Sequence, residues 1–181
     1  MAHGLVETLE TRWVMAADPV ISEFSASNVA VLKDVDGDYS DWIEIYNRGD
    51  EAANLQGWHL TDSQDDPSRW TFPSVSVPAK GFLTVFASTK NRAVAGAELH
   101  TNFRLTSGGE YLALVRPDGV TRATEFAPSF PEQYPDVTYG FRMADVEQKW
   151  IDGSSAVQLL VPTNGNLGLT WTQPDFVPDG Q

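Results

Sequence analysis

From Val20 onward the chain consists of short apolar runs of four to seven residues, separated by Gly, Pro, Asn and Asp. Runs of this length between turn-forming residues are typical of strands in an all-β sandwich or barrel. Nine candidate strands follow, which is enough for two facing sheets. They cover residues 20–25, 42–47, 55–61, 69–72, 82–88, 99–103, 110–115, 121–126 and 137–142.

Strict alternation is clearest in the second run. Ile43 and Ile45 alternate there with Trp42, Glu44 and Tyr46. Because successive side chains of a strand point to opposite faces, we expect the two isoleucines to face the core together.

Two glycine-containing turns surround the run at 110–115. Ser107-Gly108-Gly109 precedes it and Pro117-Asp118-Gly119 follows it. Glycine and aspartate accept the positive φ values that tight turns require. The sequence therefore predicts a hairpin over residues 109–126.

The length and composition favour one domain with tails. The chain has 181 residues and 41% hydrophobic content, enough for one core. Apolar residues at helical spacing before Asp18-Pro19 predict a lead-in segment over residues 1–19. The domain is then expected at 20–165. Pro, Gly and Asp in 166–181 indicate a linker towards further domains of a longer chain.

The charge argues against two classes of partner. Twelve basic residues stand against 25 acidic ones, which gives a formal net charge of −13. Such a chain repels phosphate backbones and anionic lipid, so we expect no nucleic-acid partner. No apolar stretch is long enough to span a bilayer, so we also expect no membrane insertion. The absence of Cys excludes disulfides and thiolate chemistry.

Five segments together resemble the lamin tail domain, in the form found in large exported bacterial proteins. They read DWIEIYN, NLQGWHLTD, WTFPSVSVPAKGFLTVFAS, LHTNFRLTSGGEYLALVRPDG and VTYGF, in the family's order and spacing. The resemblance covers roughly residues 20–165. It implies an immunoglobulin-like β-sandwich that serves as a non-catalytic interaction or adhesion module. It also implies an extracellular or cell-surface location, with a partner of unknown identity that is a protein or a glycan.

A cluster of aspartates precedes the second strand. Asp34, Asp36 and Asp38 stand at alternate positions, and Asp41 follows. Calcium loops place carboxylate oxygens in this way, because Ca²⁺ prefers several hard oxygen ligands. The four aspartates are therefore a candidate calcium site, with Glu44 as a further possible ligand. Calcium is the one cofactor that the sequence suggests.

The same cluster departs from the EF-hand pattern. Gly37 falls at loop position four, Tyr39 at position six, and Ile45 stands where a bidentate Glu belongs. An EF-hand is therefore excluded. The alternative to a metal site is a solvated turn that feeds the following strand. A second acidic stretch, residues 62–66, is expected to be solvated surface.

No catalytic motif with a metal-binding His pair, a nucleophile elbow or a phosphate loop is present. His59 and His100 are expected at polar strand edges, and we predict that the chain is not an enzyme. Glu44 lies between two aromatic residues, so it is either a general acid of raised pKa or a paired or solvent-facing carboxylate.

Four aromatic residues suggest the alternative function. Trp70, Trp150, Tyr134 and Tyr139 either pack in the core or form a platform on which a sugar or peptide stacks. With such a platform, the chain would be an accessory carbohydrate- or substrate-binding domain of an extracellular enzyme.

Overall fold

The computed structural model describes residues 16–141. These residues contain eleven short strands and no helix. The strands are β1 (Pro19–Ser25), β2 (Asp41–Asn47), β3 (Ala53–Asn54), β4 (His59–Thr61), β5 (Trp70–Thr71), β6 (Ser76–Val77), β7 (Phe82–Ala87), β8 (Leu99–His100), β9 (Leu112–Val115), β10 (Arg122–Phe126) and β11 (Tyr139–Gly140). The predicted linker at 166–181 and most of the lead-in lie outside the described residues. The domain boundaries therefore stay a prediction.

A five-stranded sheet has the order β11-β1-β2-β7-β8. All its pairs are antiparallel except β7 with β8, which run parallel. Ile43 in the central strand β2 pairs with Phe24 of β1 and with Val85 of β7. Both Ile43 and Ile45 are fully buried, which confirms the face that the alternation predicted.

A four-stranded sheet has the order β10-β9-β4-β5. Strands β9 and β10 form the predicted hairpin, and its turn is closed by the amide of Arg116, which donates to the carbonyl of Thr121 at 2.8 Å. Gly119 adopts a φ of +68° in this turn. The Asp118 carboxylate accepts the amide of Thr121 at 2.8 Å and fixes the turn further.

The core lies where side chains of the two sheets meet. The Phe24 ring of β1 lies 5.2 Å from the Phe126 ring of β10 and 4.7 Å from that of Phe130. The amide of Ile21 donates to the Thr124 hydroxyl of β10 at 3.0 Å, so a hydrogen bond also joins the sheets. The predicted all-β, immunoglobulin-like sandwich is confirmed, with eleven strands where nine were expected.

The prediction of one continuous strand over 55–61 is wrong. The amide of Trp58 donates to the carbonyl of Leu55 at 2.9 Å, and Gly57 has a φ of +77°, so these residues form a turn before β4. A positive φ at the third position of a turn is the geometry that favours glycine. The turn places Leu55 and Trp58 in the core, as their apolar character requires.

The two-stranded sheet of β3 and β6 was not predicted. Ala53 pairs with Val77, and both side chains are buried. Each strand has only two residues, which is too short for a period of two to stand out from the sequence.

Candidate functional site

The loop between β1 and β2 carries the aspartate cluster. The amide of Asp34 donates to the carbonyl of Asp38 at 2.9 Å, and the amide of Gly37 donates to the carbonyl of Asp34 at 2.9 Å. Gly37 has a φ of +86°, which L-residues rarely adopt. The backbone thus closes a compact loop over residues 34–38, which we call the Asp34 loop.

The Asp34 side chain organises this loop from inside. Its Oδ1 accepts the amides of Asp36 at 3.1 Å and Asp38 at 3.0 Å, and its Oδ2 accepts the Ser40 hydroxyl at 2.8 Å. Asp34 is only 5% exposed. A buried carboxylate must be hydrogen-bonded to be stable, and Asp34 satisfies this requirement largely with its own loop.

The ammonium group of Lys90 completes the cluster. Its Nζ lies 2.6 Å from Oδ2 of Asp34, 2.7 Å from Oδ2 of Asp36 and 2.8 Å from Oδ2 of Asp38. Carboxylate oxygens of the three aspartates also lie within 4.8 Å of one another, close enough to share one cation. In this structure the shared cation is a lysine of the same chain.

A second basic side chain supports the first. The Nη2 atom of Arg92 lies 2.6 Å from Oδ2 of Asp36. Both neighbours of Lys90 have left-handed backbone, Thr89 with a φ of 67° and Asn91 with a φ of 50°. Such φ values cost energy for residues other than glycine, so the contacts of this segment must offset that cost.

The electrostatics of the cluster favour the charged forms. Burial alone would raise the pKa of Asp34, but the hydrogen bonds from Lys90 and Ser40 outweigh it and lower the pKa to about 2. Hydrogen bonds from Lys90 and Arg92 likewise lower the pKa of Asp36. Burial would lower the pKa of Lys90, yet its three carboxylate partners raise it well above its usual value.

The structure does not bring the fourth predicted ligand to the cluster. Asp41 opens β2, where its Oδ1 accepts the amide of Asn28 at 3.3 Å, and burial raises its pKa. The group that could share a cation comprises Asp34, Asp36 and Asp38 without Asp41. Asp41 fails to join because the strand pairing with Ala87 of β7 fixes its position.

The other acidic stretch stays apart from the cluster. Asp62 pairs with Arg69 at 2.7 Å, and burial raises its pKa although the arginine opposes this effect. Among residues 16–141, no carboxylate of the 62–66 stretch belongs to a group of three that could hold an ion.

The comparison with known families agrees with this architecture. The family model described as Lamin Tail Domain matches residues 16–127, more than half of the chain. The chain belongs to the lamin tail domain family. A comparison with curated proteins found no match. Lamin tail domains are immunoglobulin-like modules of a non-enzymatic family, so the fold and the resemblance seen in the sequence are both confirmed.

One buried polar network of this lamin tail domain was missed from the sequence. His100 is fully buried, and its Nδ1 lies 2.8 Å from the Ser88 hydroxyl while its Nε2 lies 2.9 Å from Oε1 of Glu98. The same Glu98 oxygen accepts the amide of Val35 at 2.9 Å. The network therefore ties β8 to the Asp34 loop, and Lys90 ties the segment after β7 to the same loop. The expectation that His100 lies at a polar strand edge is therefore wrong, since its ring is buried and both ring nitrogens are bonded within the fold. A lone histidine in the sequence carries no signal for this role.

The residue types of a hydrolase triad are present in Ser88, His100 and Glu98. A working triad also needs a serine hydroxyl that a substrate can reach. Ser88 is 2% exposed, so no substrate carbonyl reaches its hydroxyl. His59 opens β4 between β5 and β9, and its Nδ1 lies 2.9 Å from the Thr71 hydroxyl. The arrangement in this lamin tail domain is that of a structural network.

Two hypotheses from the sequence remain, one on the role of Glu44 and one on an aromatic platform. Glu44 is hydrogen-bonded, because the Ser22 hydroxyl donates to its Oε1 at 2.6 Å. Trp70 is 2% exposed and packs edge-on against Phe72, so it belongs to the core rather than to a platform. Tyr134 and Tyr139 are 66% and 38% exposed. Trp150 lies outside the described residues.

Within residues 16–141 of this lamin tail domain, no helix has the length and apolar character to cross a membrane.

Proposed function

We propose that this lamin tail domain is a non-catalytic interaction or adhesion module of a larger exported or cell-surface bacterial protein. The observation that carries the proposal is that the side chains best suited to chemistry are buried and hydrogen-bonded inside the fold. Asp34, Ser88 and His100 are all buried and bonded within the fold, where they hold loops together. Side chains used in this way stabilise a scaffold, and the scaffold leaves its outer faces for partners.

The location is tested on intact cells that produce the parent protein with an epitope tag next to this domain. If the module is exported, added protease removes the epitope while a cytoplasmic marker survives. Protection of the epitope until the cells are lysed would contradict export.

The module function is tested by chemical cross-linking of the parent protein on the same cells. We expect one or a few reproducible protein partners that disappear when the sandwich is unfolded by Trp58→Ala. Turnover by the purified 181-residue chain, lost on Ser88→Ala, would contradict the non-catalytic proposal.

We also propose that Ca²⁺ and the Lys90 ammonium compete for the three carboxylates of the Asp34 loop. Three converging aspartates suit Ca²⁺, which takes six to eight oxygen ligands. An ammonium within 2.8 Å of each carboxylate occupies the same position. Calcium therefore binds weakly unless the lysine withdraws, and the loop does not depend on metal for its shape.

The accessory role in carbohydrate binding is the second candidate, favoured by the exposed rings of Tyr134 and Tyr139. Flat aromatic faces stack on sugar rings without any need for charge. A glycan array probed with the full chain tests it. Binding that is lost in the Tyr134→Ala, Tyr139→Ala double variant would support the accessory role, and no binding to any glycan would contradict it.

A further inference from the structure

The outer face of the five-stranded sheet, opposite Ile43 and Ile45, carries two neighbouring rows of side chains. Val20, Tyr46 and Phe82 align across β1, β2 and β7. We call these three residues the aromatic row. Glu23, Glu44 and Thr84 align next to them and form the glutamate row.

Val20 is buried and Tyr46 is half-buried, so the aromatic row is open to solvent at its Phe82 end. The rings of Tyr46 and Phe82 stack with centroids 4.6 Å apart and planes inclined by 21°. Phe82, the first residue of β7, remains 48% exposed. A paired aromatic surface beside charged groups differs from the isolated exposed apolar residue that any protein has.

The glutamate row is electrostatically incomplete. Glu23 and Glu44 face each other in register on antiparallel strands, an arrangement in which like charges repel. The Ser22 hydroxyl donates to Glu44 at 2.6 Å, and the Thr138 hydroxyl donates to Glu23. Among residues 16–141, no lysine or arginine forms an ion pair with either carboxylate.

The backbone beneath this pair is irregular and tightly fitted. The register of β1 shifts between Ile21 and Glu23, so Ser22 is an extra residue whose hydroxyl faces Glu44. Bulges of this kind redirect side chains and often lie next to functional sites. Gly140 of β11 packs so closely that a Cβ there would lie 2.1 Å from the carbonyl oxygen of Ser22. The hydroxyl donors are thus held in place before any partner arrives.

We propose that this face binds a basic side chain with apolar neighbours, a lysine or arginine in an extended segment of a protein partner. The inference rests on the proposed interaction function and names its surface. The cationic head neutralises Glu23 and Glu44, and the alkyl stem packs on the rings of Tyr46 and Phe82. A neutral glycan would leave the two carboxylates unpaired, and anionic lipid or nucleic acid would be repelled.

Peptide titration of the full ¹⁵N-labelled chain tests the proposal. The probe is acetyl-Val-Lys-Val-Lys-Val-amide, and the matched control peptide has Glu in place of Lys. We expect amide shifts at Ser22, Glu44 and Phe82 with the Lys peptide alone, weakened by added salt. Glu44→Gln should reduce the affinity by about tenfold, the scale of one charge-assisted hydrogen bond.

Glu125→Gln is the control variant, because Glu125 is an exposed carboxylate of the other sheet that accepts the Tyr111 hydroxyl at 2.8 Å. Its affinity for the Lys peptide should match that of the parent. Absence of shifts at millimolar peptide would overturn the proposal. Shifts centred on another surface, or a Glu44→Gln variant that binds normally, would also overturn it.

The free protein gives a second readout. Because Glu44→Gln removes one of two facing charges and keeps an acceptor for Ser22, the melting temperature should rise. A fall would show that the pair is not repulsive and would contradict the argument. Specific cross-links between a partner and another surface of the domain would support the module function and contradict the proposed binding surface.

Discussion

The ammonium of Lys90 lies 2.6 Å from the buried carboxylate of Asp34, across 56 residues of sequence. Asp36 and Asp38 contact the same ammonium. The cation shared by a cluster with the spacing of a calcium loop therefore comes from the chain itself.

Replacing Lys90 should destabilise the domain. In Lys90→Met the alkyl stem remains, but three carboxylates lose their shared cation. We expect the free energy of unfolding to fall by about 2 kcal/mol, since breaking a buried pair leaves an uncompensated charge. Urea denaturation measures this loss. Lys80→Met is the matched control, because Lys80 is 54% exposed in its pair with Asp50 and should change stability little.

Acid should weaken the same loop. Folding lowers the pKa of Asp34 from 3.8 to about 2, because its hydrogen bonds outweigh burial. The unfolded chain therefore binds more protons between these values, and stability falls as the pH falls from about 4 to 2, by roughly 2 kcal/mol for this group. Urea denaturation at several pH values measures the slope. Asp34→Asn should flatten that slope, and an unchanged slope would contradict the assignment.

The Asp34 loop was predicted from the sequence only in part. The spacing of Asp34, Asp36 and Asp38 predicted that their carboxylates converge, because neighbours in a short loop are close in any fold. Lys90 lies on a segment after β7, so its position depends on the β2–β7 register and on two left-handed residues beside it. No local pattern encodes that approach. The internal cation was therefore missed.

The sandwich itself was more accessible. Alternation around Ile43 and the turn at Asp118-Gly119 are local signals, and both were confirmed. His100 and Trp70 were harder, because an imidazole or indole is found both in cores and at surfaces. Only the packing of His100 between Ser88 and Glu98 decides its role.

Trp58 tests the packing of the core. It is 7% exposed, and the Arg116 guanidinium lies 5.2 Å from its ring centroid. Trp58→Ala should cost about 3–5 kcal/mol, the usual range for removing a large buried side chain. Denaturant titration or calorimetry measures this cost. A variant that melts like the parent would show that Trp58 is not a core residue.

Gly140 tests the close approach of β11 to β1. A Cβ there would lie 2.1 Å from the Ser22 carbonyl oxygen, so the strands must separate in Gly140→Ala. The loss should be about 1–3 kcal/mol, as for other forced overpacking. The amide of Phe141, which donates to Ser22 at 2.9 Å, should also exchange faster with solvent. Gly108→Ala is the control, since its nearest neighbour atom would be 4.0 Å away.

Calcium titration tests the central claim most directly. Melting curves of the full chain and of Lys90→Met are recorded in chelator and in millimolar CaCl₂. The control is a double variant that combines Lys90→Met with Asp38→Asn and so lacks one carboxylate ligand. If the Lys90 ammonium holds the cation position, calcium raises the melting temperature of Lys90→Met by several degrees and leaves the parent almost unchanged. A parent that gains as much as the variant would contradict the account.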